Sequence, residues 1–163
     1  MTERFNLQEK NRLKIRSMIS VLIISLLLVI FKFIAYFLTG SNAILTDALE
    51  SIINVVAGGF ALFSVYFSSF PKDENHPYGH GKIEFISAGF EGGLIFIAGI
   101  FIIGKAIYGL FNPYQLDQLD LGIIITGVAG GVNLFLGLFL VKRGKAYQSL
   151  TMQADGKHLL TDT

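Results

Sequence analysis

Four long apolar runs dominate this chain: Ser17 to Thr39, Ser41 to Phe70, Ile83 to Phe111 and Leu119 to Val141. Crossing a hydrocarbon core about 30 Å thick takes about 20 helical residues, and each run meets that length. In lipid the backbone must satisfy its own hydrogen bonds, which restricts such runs to helices. A mean hydropathy of +0.58, with only 15% charged residues, is far from the balance of a water-soluble domain of 163 residues. The expected fold is all-α: a polytopic membrane helix bundle with four complete transmembrane helices and the start of a fifth near Thr151.

The basic residues orient the bundle. Five of the 13 Lys and Arg precede the first run (Arg4, Lys10, Arg12, Lys14, Arg16), Lys72 and Lys82 flank the second connection, and Lys142, Arg143, Lys145 and Lys157 follow the fourth run. The alternate connections, around Gly40 and from Asn112 to Asp120, carry none. That bias places the N-terminus and the connections at 71–82 and 142–157 on the cytoplasmic side. Lys32 and Lys105 fall towards the outer ends of their spans, where a long stem can carry the ammonium to the interface.

Two segments follow. Residues 1–16 form a basic cytoplasmic N-terminal segment, amphipathic from Phe5 to Arg16, suited to the anionic inner leaflet or to disorder. Residues 17–163 form the transmembrane domain, which ends within its fifth helix, so the chain reads as a fragment of a longer protein. The first run is long and lacks a small-residue cleavage site, so it reads as a retained span rather than a leader. Gly89 with Gly93, and Gly127 with Gly131, have the spacing that lets helix backbones approach. With no cysteine there is neither a disulfide framework nor a thiolate site.

Polar residues inside these runs are costly, about 2.5 to 3.5 kcal/mol for a carboxylate at the bilayer centre, and so need partners. Asp47, Glu50 and Asn54 lie at i, i+3 and i+7 on one helical stripe. Asp155, His158 and Asp162 repeat that spacing near the end of the chain. At about 1.5 Å of rise per residue, Glu50 and Asn54 lie roughly 14 and 20 Å from the outer entry, and His158 and Asp162 roughly 10 and 16 Å from the cytoplasmic one. In antiparallel helices Asn54 is therefore level with His158 and Glu50 with Asp162. Two carboxylates, an imidazole and an amide oxygen form a donor set for a divalent cation. The competing reading is structural: Lys32 pairs with Glu50, and Asn54 is interhelical glue.

At this point the stretches "SNAILTDALESIINVVAG", "PKDENHPYGHGKIEFISA" and "ADGKHLLTD" resemble the transmembrane part of the cation diffusion facilitator family of divalent metal transporters. The resemblance implies six membrane helices, a cytoplasmic C-terminal domain, a homodimer, and exchange of a divalent metal for protons. It places the transport site at Glu50, Asn54, His158 and Asp162. His158 and Asp162 match the common family pattern. Glu50 with Asn54 departs from the usual His or Asp followed by Asp, and from the Asn followed by Asp of many manganese- or iron-handling members, leaving Zn²⁺, Mn²⁺, Fe²⁺ and Co²⁺ open. Asp47 and Asp155 then read as supporting or entry groups.

His76 and His80 are four apart, but Pro77 and Gly79 interrupt any helix there and the Glu of a zinc-protease motif is missing. They read as a structural turn with Lys82 and Glu84 at the membrane interface, or as a cytoplasmic metal relay. Glu91 reads as a helix-packing hydrogen bonder or a cavity lining. No residues are assigned to catalysis and no resident cofactor is expected, the metal being cargo. Expected partners are divalent metal ions, protons, membrane lipid and a second copy of the chain, with no nucleic acid. The expected location is the bacterial cytoplasmic membrane, with the N-terminus in the cytoplasm. The alternative function is a non-transporting membrane scaffold or interaction protein with interhelical polar contacts.

Overall fold

The computed structural model describes residues 2–74, 76–111 and 119–163. Five helices follow in order: α1 (Thr2–Thr39), α2 (Asn42–Ser68), α3 (Ile83–Phe111), α4 (Leu119–Tyr147) and α5 (Leu150–Asp162). Among the described residues there is no strand, and four helices are long and apolar enough to cross a membrane. The molecule is a multi-pass, all-α helix bundle. Lys105 (its side chain) and most of the Asn112 to Asp120 connection lie outside the described residues.

Helix boundaries follow local chemistry. α1 ends where Gly40 takes φ +66° and its N–H reaches back 2.8 Å to the Tyr36 carbonyl, a left-handed cap that a residue without Cβ adopts freely. At the other end, α1 starts at Thr2, so the basic lead and the first span are one 38-residue helix. α4 likewise runs past Val141 to Tyr147, carrying Lys142, Arg143 and Lys145 beyond the apolar run. The chain then turns sharply at Gln148, with φ 54°, and Ser149 starts α5 by accepting the Met152 N–H at 3.4 Å.

α5 is the hub. It packs mainly against α4, and also against α3 and α2, while α1 lies along α2 and α4. The core contains Met18, Val21, Ala61, Val65, Leu140 and Met152. α3 is peripheral, with Phe96, Ile97, Ile100 and Phe101 exposed along its length, as suits a lipid-facing helix.

The close backbone approach occurs at glycines other than those the spacing suggested. Around Gly89, Gly93, Gly127 and Gly131 a methyl group would meet nothing within 4 Å. At Gly156 it would lie 2.8 Å from the Val141 nitrogen and 2.9 Å from the Gly137 carbonyl oxygen. Gly137 and Gly156 thus let α4 and α5 touch backbone to backbone, which fixes the height of His158 and Asp162. A spacing of four shows that a smooth face exists, but not which face meets a neighbour.

Glu84 also departs from expectation. Instead of sitting at the interface it is 7% exposed and ties three other helices together. It accepts from Lys14 Nζ at 3.3 Å, Ser68 Oγ at 3.0 Å and Ser149 Oγ at 2.5 Å. Thr151 Oγ1 donates to its backbone carbonyl at 3.2 Å.

Candidate metal centre

The stripe on α2 and the stripe on α5 face each other. Asn54 Nδ2 donates to Asp162 Oδ2 at 2.6 Å, and Asn54 Oδ1 lies 3.1 Å from His158 Nε2. His158 Nε2 is 3.9 Å from Asp162 Oδ2, one helical turn along α5. The side chains of His158 and Asp162 are 6% and 19% exposed. Glu50, Asn54 and Asp162 line one cavity of about 90 Å³, shared with Lys32, Asp47 and Ser51.

These separations suit a cation. Ligand bonds of about 2.0 to 2.1 Å in a tetrahedral site hold the donor atoms about 3.3 Å apart. The 3.1 and 3.9 Å separations from His158 Nε2 bracket that value. Glu50 lines the same cavity and adds a carboxylate to it.

The side-chain arrangement also carries a proton constraint. With its amide nitrogen donating to Asp162, Asn54 presents an oxygen to His158, and an amide oxygen only accepts. With the Asn54 amide in that orientation, His158 Nε2 is the donor of this contact, while its Nδ1 is buried without a hydrogen-bond partner among the described residues. Binding a cation at Nε2 requires that hydrogen to leave.

Lys32 corrects two expectations. Its stem does not reach the interface: the residue is 5% exposed, and its ammonium donates to Asp47 Oδ1 at 2.8 Å and Ser51 Oγ at 2.7 Å. Its partner is thus Asp47 rather than Glu50, which leaves the Glu50 carboxylate free of that ion pair. Asp155 is 4% exposed, one turn before His158, and acts electrostatically on Glu91 across the α3–α5 contact. Glu91 is fully buried, and neither carboxylate oxygen has a hydrogen-bond partner among the described residues.

A second cluster lies in the connection between α2 and α3. Asp73, His76 and His80 each offer a ligand atom within 4.8 Å of the others. Asp73 Oδ1 meets His76 Nδ1 at 2.9 Å and the His76 N–H at 2.6 Å, and Asp73 Oδ2 meets His80 Nε2 at 3.5 Å. Gly79 turns the chain with φ +82°, so the two imidazoles converge without a helix. His80 packs edge-on against Phe67, ring centres 4.8 Å apart, which fixes its ring while Asp73 and His76 stay exposed. Crowding alone pushes the Asp73 carboxyl up, but its hydrogen bonds with His76 and the nearby imidazoles outweigh this and hold it below the usual carboxylate range. Asp73 was missed from the sequence, although an acid three residues before His76 is a recognisable signal.

Residues 18–163 match the cation efflux transmembrane domain. The chain belongs to the cation diffusion facilitator family. It is 39% identical over 128 residues to an uncharacterized transporter, sll1263, of Synechocystis sp., covering 78% of this chain and 41% of that protein. To the cation-efflux pump FieF of Citrobacter koseri it is 29% identical over 155 residues, covering 95% of this chain and 52% of the pump. To FieF of Escherichia coli K12 it is 30% identical over the same span and coverage. The chain thus spans about half the length, or less, of these curated relatives. Within the cation diffusion facilitators, a transporter family, Glu50, Asn54, His158 and Asp162 fall on opposed helices of the matched domain.

Proposed function

We infer that this chain forms the membrane part of a proton-coupled antiporter that exports Zn²⁺, or the related Mn²⁺, Fe²⁺ or Co²⁺, from the cytoplasm. The observation that carries the reading is Asn54 wedged between His158 and Asp162, with Glu50 in the same cavity. Three helix-borne donors at near-ligand separation, plus a free carboxylate, are more than interhelical glue requires.

Coupling follows from the donor chemistry. Metal and protons compete for Glu50, His158 and Asp162, because a ligand must be deprotonated to bind. Loading takes the Nε2 hydrogen of His158 off that nitrogen, releasing a proton when the ring is an imidazolium and shifting it to Nδ1 when the ring is neutral, and unloading reverses the step. Histidine makes this exchange near physiological pH. Asp73, His76 and His80 form a cytoplasmic relay that collects the ion before it enters the bundle. The distribution of Lys and Arg supports a cytoplasmic N-terminus, the bacterial relatives support a bacterial cytoplasmic membrane, and the family resemblance supports a homodimer that rocks between inward and outward states.

The test is transport by protein reconstituted in vesicles with a proton gradient. Replacing His158 or Asp162 with Ala should abolish Zn²⁺-driven proton flux; undiminished flux would overturn their assignment to the transport site, and absence of flux in the parent would favour the non-transporting scaffold.

A further inference from the structure

Beside the proposed ligands, the same cavity holds a lysine side chain. Lys32 reaches in from α1 and is held by two acceptors on α2, Asp47 Oδ1 at 2.8 Å and Ser51 Oγ at 2.7 Å. Ser51 has already used its hydrogen on the Asp47 carbonyl at 2.8 Å, so its oxygen is oriented to accept from the ammonium. The other Asp47 oxygen is buried with no hydrogen-bond partner among the described residues, which leaves Lys32 as the main compensation for that carboxylate. Asp47, Glu50, Asp162 and Lys32 together give the cavity a formal charge of −2 when all are ionised. One divalent cation neutralises it.

We propose that Lys32 is a tethered internal cation that matches the site's charge to a single divalent ion, and that Asp47 is the clasp holding its ammonium away from Glu50 and Asp162. This deepens the transport reading and rests on it. The geometry makes the clasp necessary. Glu50 is one turn from Asp47, so its Cβ is about 5 to 6 Å away, within the sweep of a four-carbon stem. Released from Asp47, the ammonium would swing to Glu50 or Asp162 and compete with the metal for the same carboxylates. Between charges only a few ångström apart, a displacement of that size changes the interaction and with it the affinity. The pair therefore acts on cargo selection: with Lys32 fixed on Asp47, a monovalent ion leaves the cavity under-neutralised and a trivalent ion over-neutralises it.

The experiment is a double-mutant cycle on the full chain, with Zn²⁺ affinity measured by calorimetry and folding checked by thermal unfolding without metal. A His76→Ala/His80→Ala background removes the loop cluster from the signal. Asp47→Asn should weaken Zn²⁺ binding about tenfold, equivalent to about 1.4 kcal/mol. Lys32→Met/Asp47→Asn restores the −2 charge and should bring affinity back to the parent value. Lys32→Met alone should bind Zn²⁺ more tightly than the parent. Equal affinity in Asp47→Asn and parent, or a double variant as weak as Asp47→Asn, would overturn the proposal. If Asp47→Asn does not fold, the comparison passes to Lys32→Met and the double variant, and equal affinities there overturn it. Absence of Zn²⁺ binding in all four proteins would overturn the transport reading itself, and this proposal with it.

Discussion

Asn54 on α2 donates an amide hydrogen to Asp162 on α5 across 2.6 Å. The contact joins residues 108 positions apart in sequence and sets the side-chain amide's orientation, and through it the proton on His158. Replacing Asn54 with Asp puts a second carboxylate where the donor was. Losing a hydrogen bond to a charged acceptor costs about 1.5 to 3 kcal/mol, so the metal-free protein should melt earlier. A divalent cation relieves the repulsion, so the rise in melting temperature on adding Zn²⁺ should be larger than in the parent. Thermal unfolding with and without Zn²⁺ checks both signs, and a smaller Zn²⁺ effect would contradict the placement of Asn54 in the site.

The contact of α4 with α5 sets the height of the α5 ligands. Gly156→Ala drives a methyl group into the Val141 nitrogen at 2.8 Å and the Gly137 carbonyl oxygen at 2.9 Å, and backbone cannot yield as a side chain does. The expected loss is about 2 kcal/mol or more, with weakened metal binding because His158 and Asp162 shift. Gly89→Ala is the control: its methyl group meets nothing within 4 Å, and the gain in helix propensity should stabilise by about 0.5 to 1 kcal/mol. Thermal unfolding in detergent separates the two.

Much of this was readable from sequence because a membrane simplifies the problem. Apolar length alone gave α2 and α3 to within about two residues at each end, since lipid admits only helices for such runs. The i, i+3, i+7 stripes gave the facing of Asn54 and His158, because rise and span length set relative depth. What failed were choices among partners. Lys32 could pair with Asp47 or Glu50, both on the same stripe, and only the rotation of α1 against α2 decides for Asp47. Glu84 looked interfacial because its three donors, Lys14, Ser68 and Ser149, come from distant parts of the chain. Within this chain the close backbone approach falls at Gly137 and Gly156, a choice of face that spacing alone does not make. Asp73 is legible in the sequence as well, since an acid three residues before His76 can meet that imidazole across a turn.

Glu91 is a buried carboxyl with neither oxygen hydrogen-bonded among the described residues, and Asp155 is its electrostatic neighbour. An unsatisfied buried polar group costs about 1 to 3 kcal/mol. Glu91→Met keeps the volume and removes the polar atoms, so the melting temperature should rise. A fall would mean that Glu91 holds a partner essential to the bundle.

The loop cluster has its own pH signature. Because the folded Asp73 pKa is lowered, the stabilisation from this carboxylate is present above its unfolded value of about 3.9 and is lost as pH falls through the lower folded value. The difference in melting temperature between the parent and Asp73→Asn should therefore close only below about pH 4. A difference that has already vanished at neutral pH would contradict the Asp73–His76 pairing.

The most direct test of the central assignment is to locate the ion. Crystals of the protein soaked with Zn²⁺, and measured on either side of the zinc absorption edge, should show an anomalous peak between α2 and α5. The peak should lie about 2.0 to 2.2 Å from an imidazole nitrogen of His158 and a carboxylate oxygen of Asp162, with Asn54 or Glu50 completing the shell. Anomalous density confined to Asp73, His76 and His80, with none beside His158, would contradict a cation site within the membrane.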